Sequence, residues 1–154
     1  MKALSVKQPY ASLLVVGDKT IEVRSWRTEY RGHLLICASA MPKAMFWYDK
    51  VDEVERLMHA GCMIGIVNLL DVREFRESDC DDAWCGHSQG AYAWVVEPVS
   101  FVRPDKILGK LNFFDVDDSL IQKIDNDPNS EWLYSYPFPQ GDIKFNPKKH
   151  DVLM

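Results

Sequence analysis

A chain of 154 residues is one domain's worth of sequence, and a domain of that size buries roughly 70 % of the surface its unfolded chain exposes. Its 47 % apolar and 27 % charged residues exclude a disordered chain, a collagen-like repeat and a disulfide-stapled miniprotein. No run of ~18 apolar residues occurs, so no membrane-spanning helix is expected. Lys2, Lys7 and Pro9 interrupt the N-terminus where an export signal needs a continuous apolar stretch, so a cytoplasmic location is expected. Reduced thiols are then expected at Cys37, Cys62, Cys80 and Cys85. The net charge of −5 is uneven: residues 1–35 carry six Lys/Arg against three acids, and residues 71–82 carry two Arg against six acids. An anionic partner would therefore meet the first third of the chain.

Taken in order, Ala3 to Val6 reads as a short strand. Pro9 to Val16 reads as a helix that opens on proline and is capped by Gly17. From Thr20 to Trp26 the pattern alternates, with Ile21 and Val23 on one face and Glu22, Arg24 and Trp26 on the other. Arg31-Gly32 marks a turn, and His33 to Ala38 reads as a buried strand returning beside it. Pro42 to Ala60 has helical spacing at Trp47, Val51, Val54 and Met58, with Ser39 as N-cap and Gly61 as its end. Met63 to Val72 reads as a central strand and residues 74–90 as an acidic, solvated loop or a gate over a cleft. Ala91 to Phe101 makes another strand, broken at Glu97-Pro98 and ended by Pro104. Leu111 to Val116 reads as a last strand and Asp117 to Ile124 as a short helix. Few helices separate the strands, so the fold class is α+β, a mixed β-barrel with flanking helices over residues 1–126, and not a doubly wound sheet. Residues 127–154 form a proline-rich tail whose Trp132, Tyr134, Tyr136 and Phe138 are expected to pack on the domain.

Glu22 and Arg24 stand two residues apart on one strand face, roughly 7 Å along it. Burial of either without a partner costs several kcal/mol, so the two pair in a wall or line a cavity open to a polar ligand. Both readings fit the spacing. For a ligand, Glu accepts from an amine or ring N–H, Arg holds a carbonyl or phosphate, and Trp26 offers a stacking plane. Cys80-x4-Cys85-Gly86-His87 has no standard zinc spacing, so no metal is expected there, and no cofactor motif is present. His33, His59, His87 and His150 belong to no motif.

The octet Gly17-Asp18-Lys19-Thr20-Ile21-Glu22-Val23-Arg24 resembles the G-x-K-x-x-E-x-R signature of the ASCH domain family, relatives of the PUA fold. The opening Leu4–Ala11, the run Ser25–Ser39, Ile64–Val67, Tyr92–Pro98 and Gly109–Phe114 are similar to bacterial and phage members in the same order. The resemblance implies a PUA-like barrel whose cleft holds Lys19, Glu22 and Arg24 and binds RNA or a modified nucleoside. It implies Gln8, Trp26, Ser39, Tyr92 and Trp94 as ligand-binding neighbours and Lys7, Arg27 and Arg31 as a phosphate-contacting rim. An enzymatic branch acts on acetylated cytidine with a lysine-activated threonine, and here Glu22 stands at the threonine position. A hydrolase of the same cleft, an amidohydrolase or ribonuclease with Lys19 and Glu22 as acid/base groups, is the alternative. A third reading is a regulatory module that binds a protein partner through the tail or the acidic loop.

Overall fold

The computed structural model describes residues 1–40, 45–49, 54–124 and 151–153. Its elements are β1 (Lys2–Val6), α1 (Tyr10–Val16), β2 (Ile21–Arg24), β3 (Gly32–Ala38), β4 (Met45–Asp49), β5 (Val54–Leu57) and β6 (Cys62–Glu74). A 3₁₀ turn at Glu77–Asp79 leads into α2 (Cys80–Ala83), then β7 (Tyr92–Val102) and β8 (Phe113–Asp115). A second 3₁₀ turn, Asp118–Leu120, precedes β9 (Lys123–Ile124), and β10 is Asp151–Leu153. Seven strands form one mixed sheet in the order β2-β7-β6-β3-β1-β8, with β9 on β7, and it curls into a half-barrel. β1 and β3 run parallel, and the other pairs of this sheet are antiparallel.

The apolar runs of β3 and β6 are continuous because both faces of the sheet are covered there. Leu34 and Ile36 point into one core cluster with Leu4, Leu14, Val15, Ile64 and Val67. Their neighbours Leu35 and Cys37 point into a second cluster with Ala3, Met63, Ile66 and Phe114. α1 covers the first face, and its fit depends on Gly65: a Cβ there would stand 2.3 Å from Val15 Cγ1. At the end of α1, Gly17 takes φ +91° and donates its N–H to the Leu13 carbonyl, closing the helix. A side chain at Gly17 would also meet Pro98 Cγ at 2.9 Å, so the turn lies flat on β7.

Two expected elements differ. In place of a helix over Pro42 to Ala60, β4 and β5 form an antiparallel pair with Phe46 opposite Leu57, and β10 pairs parallel with β4. The consecutive aromatics Phe46, Trp47 and Tyr48 favour extended backbone, which outweighs the helical spacing of Trp47, Val51, Val54 and Met58. Ser39 is therefore no helix cap; its N–H donates to the Val6 carbonyl beyond the end of β3. Asp117 to Ile124 forms a single 3₁₀ turn and then β9, which joins β7 through Phe101 and Val102. The tail aromatics Trp132, Tyr134, Tyr136 and Phe138 lie outside the described residues.

Gly65→Ala forces a methyl into Val15 and is expected to lower stability by about 1–3 kcal/mol through displacement of α1. Urea denaturation checks it, and pairing the change with Val15→Ala is expected to restore part of the loss.

Candidate functional site

β2 lies at the edge of the large sheet, hydrogen-bonded to β7 with Glu22 opposite Trp94 and Arg24 opposite Tyr92. Ile21 anchors it in a small cluster with Phe75, Ala83 and Ala93, so the opposite face presents Glu22 and Arg24. Only 8 % of Glu22 is exposed. Its Oε2 accepts from Arg24 Nη2 at 3.0 Å, and its Oε1 accepts from the Val23 N–H at 3.2 Å and lies 3.5 Å from Lys19 Nζ. Arg24 Nη2 also donates to the Ser5 carbonyl at 3.0 Å, which ties β2 to β1 across the mouth of the half-barrel. Two readings were open from the spacing, and both features occur together: the pair is made within the wall, and the wall faces a cleft.

Lys19 is 3 % exposed and sits behind this pair. Its ammonium donates to the Ile21 carbonyl at 2.7 Å and to the Ala83 carbonyl, and lies 5.5 Å from the centroid of the Tyr10 ring. Burial pushes its pKa below the ordinary lysine value, and the Glu22 carboxylate opposes that shift. A buried ammonium is tolerated here because two carbonyls, a carboxylate and a ring face surround it.

The cleft encloses ≈ 730 Å³, within the ~300–1,000 Å³ of small-molecule sites. Glu22, Arg24 and Trp26 line one side; Ser5 and Lys7 from the β1 end, Tyr10, Ser39 and residues 107–112 complete it. Trp26 meets Trp94 edge to face at 4.7 Å and Phe113 at 5.2 Å, so the core fixes the orientation of its ring.

The other expected ligand residues lie elsewhere. Trp94 is fully buried, donates its indole N–H to the Trp26 carbonyl at 3.2 Å, and supports Trp26 from below without reaching the cleft. Its face looks into the core because α1 covers that side of β7. Gln8 is buried too, exchanging hydrogen bonds with Ser12 and donating to the His59 carbonyl, so it secures the start of α1. Tyr92 packs at the far end of β2, outside the cleft lining. Arg27 pairs with Glu29 at 3.4 Å and Arg31 lies 3.6 Å from Asp71; neither lines the cleft, whereas Lys7 does. Sequence reasoning missed Ser5, Tyr10 and the 107–112 loop. The polar stretch after Pro104, which carries Leu108 and Leu111 without any periodic pattern, was the available signal.

Along residues 75–84 the acidic stretch keeps Glu77, Asp81 and Asp82 exposed, but it is folded and lies outside the cleft lining; it braces the site. Arg73 clasps Asp79 in a two-pronged ion pair at 2.7 and 2.8 Å, and the Arg76 N–H donates to the same carboxylate. This folds Glu77 to Ala83 back on β2, where the Asp82 carbonyl accepts the Thr20 N–H and the Trp84 indole donates to the Asp18 carbonyl. The turn that carries Lys19 is held from both sides. Among the described residues no group of three or more His, Cys, Asp or Glu side chains is placed to hold a metal ion.

The family described as ASCH domain matches residues 4–103. Activating signal cointegrator 1 of Homo sapiens is 38 % identical over an 88-residue alignment covering 48 % of this chain and 15 % of that protein. The Mus musculus protein of the same name is 35 % identical over 88 residues. This chain thus spans a small part of the length of the curated relatives it matches. Two crystal structures of ZmASCH from Zymomonas mobilis, a serine-to-alanine and a tyrosine-to-phenylalanine variant, share the fold. Their TM-scores are 0.53 and 0.55, at 15 % and 14 % identity, over 79 % of this chain and 96 % and 98 % of theirs.

Hydrogen bonding to Arg73 holds the Asp79 carboxyl down to about 2, against 3.8 when free. The stabilisation is complete above 3.8 and is lost as pH falls towards 2, because only the folded state favours the carboxylate there. Asp79→Asn is expected to cost about 2 kcal/mol at neutral pH and to differ little from the parent near pH 2. Denaturation at neutral pH and below pH 4 measures that difference.

Proposed function

Because the chain belongs to the ASCH domain family, we propose that its cleft binds RNA, or a nucleoside or nucleotide drawn from RNA, through a nucleobase set against Glu22 and Arg24. The observation that carries this reading is the buried carboxylate in the cleft wall, held by Lys19 and Arg24. A carboxylate so held accepts from an exocyclic amine or a ring N–H, and the adjoining guanidinium donates to a base carbonyl. The edge of a nucleobase offers these groups side by side. Trp26 and Tyr10 supply apolar and aromatic wall for the ring, and Lys7 and Lys110 supply positive charge at the rim for a phosphate. Unpaired bases present both their faces and their hydrogen-bonding edges, so single-stranded RNA suits the cleft better than a duplex.

The hydrolase reading needs Lys19 at the ligand. Its ammonium is instead engaged by Ile21, Ala83 and Glu22, outside the cleft lining, which favours binding without turnover. The protein-interaction reading draws on the tail, whose aromatics lie outside the described residues, or on the acidic stretch, whose first half is occupied in bracing β2.

Titration calorimetry against a nucleoside and short-RNA panel tests the proposal. At least one member is expected to bind without being consumed, and Glu22→Gln is expected to weaken it about tenfold or more by removing a charge-assisted hydrogen bond. Thermal melting of the same variant separates lost binding from lost folding. Failure of every panel member to bind, or equal binding by a folded Glu22→Gln protein, would refute it.

A further inference from the structure

Leu108 and Leu111 are 85 % and 91 % exposed, beyond every other large apolar side chain among the described residues. Both stand on the 107–112 loop, which forms one lip of the cleft and carries Lys110 between them. The loop is fixed at each end. The Ile107 N–H donates to the Gly61 carbonyl at 3.0 Å, and Ile107 packs against the second core cluster. In the middle, the Gly109 backbone presses on Ser5: a Cβ there would be 2.7 Å from Ser5 Oγ. Ser5 in turn gives its carbonyl to Arg24. At the far end Asn112 takes φ +58° and turns the chain into β8, where Phe113 meets Trp26.

The leucines are therefore presented by an anchored loop beside a polar cleft. Covering either one removes apolar surface from water, so the pair beside the cleft marks a face that a ligand completes. A free nucleoside in the cleft meets both where they line it but, having no neighbours in a strand, brings nothing to cover the rest of two side chains so exposed. A base within a strand does not: when it turns out of its stack, its neighbours expose flat apolar faces at the point where it left, and a phosphate flanks it on either side. We propose that the ligand is a nucleotide within a single strand of RNA, whose base enters the cleft while Leu108 and Leu111 take its vacated stacking position and Lys110 meets the adjoining phosphate. This deepens the reading of the cleft as a base site and rests on it. A bilayer is a poorer match, since one lysine separates the leucines and the chain carries a net charge of −5.

The test uses short single-stranded RNAs with each of the common bases at the centre and 2-aminopurine on both sides, together with the matching nucleoside monophosphates. Binding by the parent protein is expected to raise 2-aminopurine fluorescence as the neighbours unstack. Leu108→Ser/Leu111→Ser, made at exposed positions, is expected to lose that rise and to weaken RNA binding about tenfold more than it weakens binding of the monophosphate. Undiminished RNA binding by the double variant, with monophosphate binding intact, overturns the loop's role alone. Equal losses for both ligands show that the leucines merely shape the cleft. A parent dimer that becomes monomeric in the variant without loss of RNA binding shows a self-association surface. Absence of binding to RNA and monophosphate alike in the parent overturns the base-site reading with it.

Discussion

Lys19, Glu22 and Arg24 form one string of opposite charges on four residues of edge strand and the turn before it. Lys19 and Glu22 are almost wholly buried, and such groups persist only where every polar atom is answered nearby. The surrounding structure can be read as that set of answers. Two carbonyls take the ammonium, the ammonium and guanidinium flank the carboxylate, and the Ser5 carbonyl takes a second bond from the guanidinium. The carboxylate consequently has a fixed direction, which is what a site that reads hydrogen-bonding edges requires.

The supports come from distant parts of the chain. Gly17 lays the Lys19 turn flat against Pro98, and Gly65 lets α1 settle close enough on β6 to start that turn in the right place. The Arg73–Asp79 clasp brings the Ala83 carbonyl to Lys19, a contact between residues 64 positions apart. Trp94, in the core, fixes Trp26 at the cleft wall. The acidic stretch and the basic first third thus serve different ends: Asp79, clasped by Arg73, folds a brace, and Lys19, which the brace steadies, holds the Glu22 carboxylate that lines the cleft.

Much of the β2 site was legible because its determinants are local. A glycine turn, an alternating strand and two charges at a spacing of two specify which residues share a face without reference to the rest of the fold. The strands β1, β3, β6 and β7 were legible for the same reason. What escaped was decided by contacts remote in sequence. The spacing of Trp47, Val51, Val54 and Met58 suits a helix, but Trp47 falls on β4 and Val54 on β5, and pairing between β4, β5 and β10 decided it. The face of Trp94 depended on where α1 packs. Arg27 and Arg31 carry the right charge, but they pair with Glu29 and Asp71 and do not line the cleft. Lys19 was expected at the ligand, and its partner Ala83 belongs to a segment whose composition suggested a solvated acidic loop or a gate.

The central claim is that Lys19 acts through Glu22 by holding its carboxylate, and a double-mutant cycle on ligand affinity addresses it directly. Lys19→Met and Glu22→Gln, singly and together, are titrated by calorimetry with the tightest-binding member of the RNA and nucleoside panel, with melting curves as the control for folding. The account predicts that Lys19→Met weakens binding when Glu22 is present and changes little once Glu22 is glutamine. Equal losses in both backgrounds would contradict it, because Lys19 would then be meeting the ligand itself.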